Sequence, residues 1–256
     1  MPTTKRVAVV TGGGGGIGLG CAEALIAAGH DVAVFDLQGA EAAAAALSRA
    51  GHAIGLAVDV SDRASVASAF DKVRAELGPV TIVVANAGIG PGGTPVSEET
   101  QWDEVVSVNL TGVWNTGRVT IPPMIENNQG GSIIITSSTG ALISPPAMHA
   151  GMLGYAAAKH GTLGLLRSWA NYCGPHYIRV NSIAPTTVRT PMAGGGNVAQ
   201  IIQHSPNLAN SLTNLIPVEA VDPEDIAACG AFLASDDARY ITGTVVPVDA
   251  GNVVRR

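Results

Sequence analysis

Val7-Ala8-Val9-Val10-Thr11-Gly12-Gly13-Gly14-Gly15-Gly16-Ile17-Gly18 is the stretch whose reading decides the fold. A short β-branched run ends on five glycines, and a helix-period segment from Ile17 to Ala28 follows at once. A strand that turns directly into a helix leaves free N–H groups at the helix start, where they and the helix dipole favour a phosphate. The spacing Gly12-x-x-x-Gly16-x-Gly18 is one residue wider than the G-x-G-x-x-G dinucleotide fingerprint, and the glycine run satisfies several registers at once. Alone it reads equally as a flexible strand-to-helix turn. Its flanking strand and helix are the context that a pyrophosphate site demands.

Working outward, β-branched runs alternate with helix-period segments along the whole chain. Strands are expected at Val7 to Val10, Val32 to Asp36, Ala53 to Asp59, Ile82 to Ala85, Ser132 to Thr136, Arg179 to Ile183 and Val245 to Val248. Helices are expected at Ile17 to Ala28, Ala40 to Ala50, Arg63 to Leu77, Ser97 to Met124, Gly154 to Cys173 and Pro223 to Ala234. This βαβ rhythm predicts an α/β fold with a seven-stranded parallel sheet and helices on both faces. No composition break divides it, so residues 1–256 are read as one domain. Two stretches leave the rhythm. The Gly-, Pro- and Asn-rich segment at about 186–222 is expected to be a mobile substrate loop, and Ala141 to Gly151, with Pro145 and Pro146, an irregular pocket wall.

Eighteen positions beyond Gly18, at the end of the second strand, stands Asp36. A carboxylate there can accept both hydroxyls of an adenosine ribose and repels a 2'-phosphate. The glycine loop holds no Lys or Arg, and Leu37 follows Asp36, so NAD is favoured over its phosphorylated form. Taken alone, Asp36 reads about as well as a turn residue. Asp59-Val60 and Asn86-Ala87-Gly88, after the third and fourth strands, are placed to flank adenine and its ribose, because ligands lie at the carboxyl ends of parallel strands. Both are also compatible with plain turn chemistry.

Composition narrows the partners. Of the residues, 46% are apolar and 13% charged, with 14 basic against 20 acidic and a net charge of −6; the mean hydropathy is +0.30. No basic run tracks a phosphate backbone or an anionic bilayer, so nucleic acid and membrane are not expected partners. The apolar run before Gly12 is too short for a signal peptide or a span, which points to the cytoplasm. The low charge predicts that part of the surface is buried against another subunit. Cys21, Cys173 and Cys229 lack ligand or disulfide spacing, and the six histidines show no metal-ligand pattern. No metal is expected.

Tyr155-Ala156-Ala157-Ala158-Lys159 puts a phenol and an ammonium one helical turn apart on one face. A free phenol ionises near pH 10, too high for a base at neutral pH, but an adjacent ammonium and an oxidised nicotinamide both favour the phenolate. By itself Y-x-x-x-K also describes a chance surface pair. Taken in order, Thr11-Gly12-x-x-x-Gly16-x-Gly18, Asn86-Ala87-Gly88, Asn109, Ser138 and Tyr155-x-x-x-Lys159 make the chain resemble the short-chain dehydrogenase/reductase family over almost its whole length. Arg179 to Pro185, Ile241-Thr242-Gly243 and Val248-Asp249-Ala250-Gly251 extend the resemblance.

That resemblance implies a single-domain Rossmann fold and an NAD-dependent oxidoreductase acting on a secondary alcohol or ketone. It implies Tyr155 as general acid/base, with Lys159 lowering its pKa and holding the nicotinamide ribose. Ser138 is implied to hydrogen-bond the reacting oxygen, and Asn109 to support a water chain. Gly12, Gly16, Ile17 and Gly18 would take the pyrophosphate, and Pro185, Val188 and Thr190 the nicotinamide end. A homo-oligomer, a tetramer, is also implied. Three positions depart from the pattern. The Ser138 to Tyr155 stretch is longer than usual, which keeps Ser137 open as the site serine; Thr186 replaces the Gly after Pro185; Ala85 replaces the first Asn before Asn86. Ile89, Pro91, Ile143, Ser144, Met148, His149, Met192 and the segment from Gly194 to Leu215 are expected to line an apolar pocket for an uncharged alcohol. The alternative is a non-catalytic NAD-binding regulatory or scaffold protein on the same fold.

Overall fold

The computed structural model describes residues 5–91, 96–143, 149–194 and 213–255. The β-branched runs form seven strands: β1 (Val7–Thr11), β2 (Asp31–Asp36), β3 (Ala53–Ala57), β4 (Val80–Ala85), β5 (Gly131–Thr136), β6 (Ile178–Pro185) and β7 (Val245–Val248). All pair in parallel, in the order β3-β2-β1-β4-β5-β6-β7. The chain runs outward from β1 to β3 and then returns to the other side of β1 at β4. This reversal opens a crevice at the carboxyl ends of β1 and β4, the place where open α/β sheets bind ligands.

Strand periodicity splits the core in two. Val9, Phe35, Val83, Ile133 and Val180 face one side, with Val66 and Phe70 of α3 (Arg63–Glu76), Val113 of α5 (Gly112–Asn127) and Leu166 of α6 (Ala150–Cys173). Ala8, Val10, Val34, Val84 and Ile134 face the other. There they meet Leu25 of α1 (Gly16–Ala27), Ala43 of α2 (Ala40–Leu47) and residues Pro223–Ala234, the last helix, here α8. Burial on both faces is why the strands read as continuous apolar runs rather than as alternating ones. The three cysteines are free, and burial pushes the Cys21 thiol up to about 12. Among the described residues no helix is long and apolar enough to cross a membrane.

The structure corrects three expectations about elements. The helix expected over Ser97 to Met124 is α4 (Glu98–Val106), a π turn at Ser107–Thr111, and α5. The wider turn directs Asn109 at Ile89, whose N–H and carbonyl its amide engages. Helix α6 begins at Ala150 rather than Gly154. Gly151 and Gly154 do not break it, since they admit the Pro91 carbonyl and Trp102 against the helix. Within the expected mobile loop, 195–212 lies outside the described residues, while Pro191–Gly194 forms a short helix, α7. The flank beginning at residue 213 is tied down: Leu215 and Ile216 N–H donate to the Ala250 carbonyl, and the Thr186 hydroxyl donates to Asn214 Oδ1 at 3.0 Å. The departure at Thr186 thus has a partner.

Phe35 of β2 meets Phe70 of α3 edge-on, with centroids 5.1 Å apart and both rings fully buried. Phe70→Ala is expected to cost about 3–5 kcal/mol, measurable as a lowered urea midpoint followed by the fluorescence of Trp102, Trp114 and Trp169. A loss under about 1 kcal/mol would mean that this half of the core is loosely packed.

Candidate active site

At the end of β1 the chain turns through Gly12 and Gly16, both with positive φ (65° and 53°), which suits glycine. Helix α1 then starts on the extended Gly15, with neither a side-chain cap nor an acidic residue in its first turn. Among the described residues, the carboxylate bonded to this turn is Asp36, which takes the Gly14 N–H just before the helix and leaves the first N–H groups of the helix without a side-chain cap. Gly18 plays a different part. It is buried, off the cavity wall, and a Cβ on it would lie 2.0 Å from the Gly12 carbonyl oxygen, so it lets α1 approach β1.

The crevice opens into a cavity of about 550 Å³. Its walls carry Gly12, Gly16, Ile17, Asp36, Asp59, Val60, Asn86, Ala87, Gly88, Asn109, Ser138, Tyr155, Lys159, Pro185, Val188 and Thr190. Every expected site residue except Gly18 is on that wall. Among the described lining residues the charged ones are Asp36, Asp59 and Lys159. Asp36 ends β2 with Oδ2 accepting from Gly14 N–H at 2.9 Å and Oδ1 from Gln38 N–H at 3.2 Å. Asp59 is held by Ser61, whose N–H and hydroxyl donate to Oδ1 at 2.8 and 2.7 Å. Asn86 braces the loop: its Nδ2 donates to the carbonyls of Thr11 and Gly12. The Thr11 hydroxyl in turn accepts from Asn86 and Ala87 N–H, both at 3.0 Å. That brace is missed by sequence reasoning, because a side chain bonded to backbone leaves no pattern.

At the other end Ser138 Oγ accepts from Gly140 N–H at 3.1 Å, which leaves its own proton to donate, and it stands on the same cavity wall as the Tyr155 phenol. Ser137 points away, its hydroxyl donating to the Lys159 carbonyl at 3.2 Å. Lys159 is 4% exposed; its Nζ donates to the Thr136 carbonyl at 2.9 Å and lies 5.6 Å from the centre of the Tyr155 ring. Burial pushes the Tyr155 phenol up, and the Ser138 hydroxyl opposes that rise. Burial also brings the Lys159 ammonium down from 10.5 to about 8. The Asn109 amide accepts from Ile89 N–H at 3.0 Å and donates to its carbonyl at 2.9 Å, so Asn109 holds the loop after β4 over Lys159.

Of the apolar residues expected here, Ile89, Pro91, Ile143 and Met192 line the cavity. His149 does not, and Ser144 and Met148 lie outside the described residues. Gly140 and Met152 join the wall unforeseen. Met152 stands three residues before Tyr155 on the same helical face, a signal hidden by starting the helix at Gly154. The open N-terminus of α1, the Asp36 carboxylate and the glycine backbones that approach the cavity fit a dinucleotide without a 2'-phosphate.

Comparison with known proteins agrees with this geometry. The family model described as enoyl-(acyl carrier protein) reductase matches residues 12–252. A putative short-chain type dehydrogenase/reductase of Mycolicibacterium smegmatis is 42% identical over 77% of this chain and 73% of its own length. The (-)-trans-carveol dehydrogenase of Rhodococcus erythropolis is 39% identical over 79% of this chain and 76% of its own. The crystal structure of carveol dehydrogenase from Mycobacterium avium in complex with NAD superposes with a TM-score of 0.88 at 32% identity, covering 98% of each chain.

The desolvated ammonium has a measurable consequence. Unfolded, Lys159 keeps its proton up to its ordinary 10.5; folded, it loses it near pH 8. The difference opposes folding by about 3 kcal/mol below pH 8 and vanishes as pH rises through the unfolded value. Cofactor-free Lys159→Met is therefore expected to be more stable than the parent at pH 7, by about 1–3 kcal/mol once the lost bond to Thr136 is allowed for. That advantage shrinks towards pH 10. Urea unfolding at both pH values tests it, and a difference that stays the same at both would show that Lys159 is solvated.

Proposed function

The chain belongs to the short-chain dehydrogenase/reductase family, and we propose that it is an NAD-dependent oxidoreductase interconverting an uncharged, fairly apolar secondary alcohol and its ketone, with Tyr155 as general acid/base. One observation carries the reading: a single cavity joins the glycine loop and Asp36 to Ser138, Tyr155 and Lys159. The glycine loop and Asp36 would hold NAD, which would supply the hydride acceptor for the carbinol or, in its reduced form, the hydride donor for the ketone. Asp36 selects NAD, since its carboxylate would accept ribose hydroxyls and, among the described wall residues, the cation is Lys159 at the other end of the cavity rather than one that could neutralise a 2'-phosphate. The relative crystallised with NAD supports the same choice.

Ser138, its lone pair engaged by Gly140 N–H, donates to the reacting oxygen and holds it beside Tyr155. Tyr155 takes the carbinol proton during oxidation and gives it back during reduction. Lys159 favours the phenolate through its charge and would hold the nicotinamide ribose. Asn109 keeps the loop at Ile89 in place and supports the water chain that carries the proton out. Ile89, Ile143, Met152 and Met192 bring no charge to the alcohol end, which supports a neutral apolar substrate. Carveol, named by two of the relatives, heads the list of alcohols to try. We place the enzyme in the cytoplasm as a homotetramer; the apolar groove at Leu110, Trp114, Gly164 and Leu165 supports a subunit contact.

The purified protein and its Tyr155→Phe variant should be incubated with NAD or NADP and a series of secondary alcohols, following NADH absorbance. Turnover with NAD is expected, and Tyr155→Phe should lower kcat about 10²- to 10⁴-fold with NADH binding kept. Full activity of the variant would remove Tyr155 from the chemistry. Asp36→Ala should narrow the preference for NAD over NADP. A parent that already prefers NADP would refute the role given to Asp36.

A further inference from the structure

Gly140 stands where substrate specificity would be set. It lies in the 3-10 turn Thr139–Ala141, directly after Ser138, and lines the cavity. A Cβ built on it would lie 3.4 Å from Ser138 Oγ and 3.8 Å from Tyr155 Cε1, and the third atom within 4 Å is Ser138 Cβ. Among the described residues, then, the space at Gly140 is bounded by the two hydroxyl-bearing side chains and otherwise belongs to the cavity. Its φ is not in the left-handed region, so the backbone does not require glycine there. What the missing side chain provides is room.

That room lies at a particular distance from the chemistry. A reacting oxygen held by Ser138 sits about 2.7 Å from its Oγ, and the carbinol carbon is one bond further. The carbons attached to the carbinol carbon, and their own substituents, therefore reach the shell in which a Gly140 side chain would lie. Elsewhere the wall has less to spare: between Ile89 and Pro91, a Cβ built on Gly90 would come within 3.2 Å of Met192 Cγ. Met152 fills the helix side one turn before Tyr155. A branched carbon next to the carbinol has its space towards Gly140.

We propose that Gly140 is a specificity-determining residue, whose absent side chain admits a secondary alcohol substituted on the carbon adjacent to the carbinol. The inference rests on the alcohol dehydrogenase reading above and deepens it. An added methyl at position 140 competes for that space, and one methylene in an apolar pocket is worth about 10- to 200-fold in discrimination.

The test compares 2-methylcyclohexanol with cyclohexanol for the parent, Gly140→Ala and Gly140→Val, reading the ratio of their kcat/KM values. The parent ratio should be at or above one. Gly140→Ala should lower it at least fivefold, and Gly140→Val further. A ratio unchanged within twofold, or a parent that rejects the methylated ring, would overturn the proposal. So would an equal fall for both alcohols, because Gly140 would then serve only the backbone that holds Ser138. NADH affinity and the thermal midpoint of each variant separate a steric effect from misfolding. In the same proteins, binding of 2-methylcyclohexanone and cyclohexanone to the NADH complex is read by nicotinamide fluorescence. If the parent oxidises no alcohol, the activity reading fails while this binding ratio still decides the steric claim: a drop in Gly140→Ala supports it, and no drop overturns it.

Discussion

The close approach of α1 to the end of β1 is the constraint on which the carboxyl edge of the sheet depends. A Cβ on Gly18 would meet the Gly12 carbonyl oxygen at 2.0 Å and the Asn86 amide at 2.6 Å. The absent side chain is therefore what lets Asn86 reach across and donate to Thr11 and Gly12. The same economy continues towards the chemistry. A Cβ on Gly88 would lie 2.5 Å from Asn109 Oδ1 and 3.7 Å from Lys159 Nζ. The glycine loop and the buried ammonium are thus linked through Gly12, Gly18, Asn86, Gly88 and Asn109, with little slack between them. Rigidity of this kind serves a site whose groups must be held in place before reaction.

The ammonium at the end of that chain is held at a disadvantage. Among the described residues its hydrogen-bond partner is the Thr136 backbone carbonyl, and the carboxylates of the cavity wall are Asp36 and Asp59. A carboxylate beside Lys159 would stabilise the fold and, on the role proposed for Tyr155, would also take up the field that its phenolate needs. Leaving the cation short of counter-charge keeps that field directed at Tyr155. Stability is given up locally, and the extensive two-sided core supplies the margin.

The fold was legible because burial on both faces writes the strands as uninterrupted Val and Ile runs, and because glycine punctuates the first turn so heavily. Strands β1 and β6 extend past their apolar runs, to Thr11 and Pro185, since ladder bonds continue where side-chain pattern stops, whereas β3 ends at Ala57, short of the expected Asp59. Tyr155 and Lys159 were legible as an i, i+4 pair. The start of α6 was not: Gly151 and Gly154 look like breakers and are instead close-packing positions against Pro91 and Trp102. Nor does a helix-period reading contain a π turn, whose extra residue at Ser107–Thr111 is a matter of hydrogen bonding alone. Ser137 and Ser138 are equivalent as letters. Their hydroxyls part because successive residues at a strand end point to opposite sides, one into α6 and one into the cavity.

Helix α6 brings these threads together. Met152, Tyr155 and Lys159 follow one another at intervals of three and four along a single stripe, so part of the apolar cavity wall and the pair proposed to handle the proton share one rigid element. That stripe is anchored at both ends. The Pro91 carbonyl packs on Gly151, while Ser137 and Thr162 both donate to the Lys159 carbonyl, at 3.2 and 2.7 Å. Other parts of the wall, Ile143 and Met192, come from irregular or short elements beside the sheet. Those can change with little effect on the distance from Tyr155 to Lys159, whereas a change at Met152 acts on the same turn of helix as the chemistry. The division allows the pocket to be reshaped from its loops while the reacting groups stay fixed to the sheet.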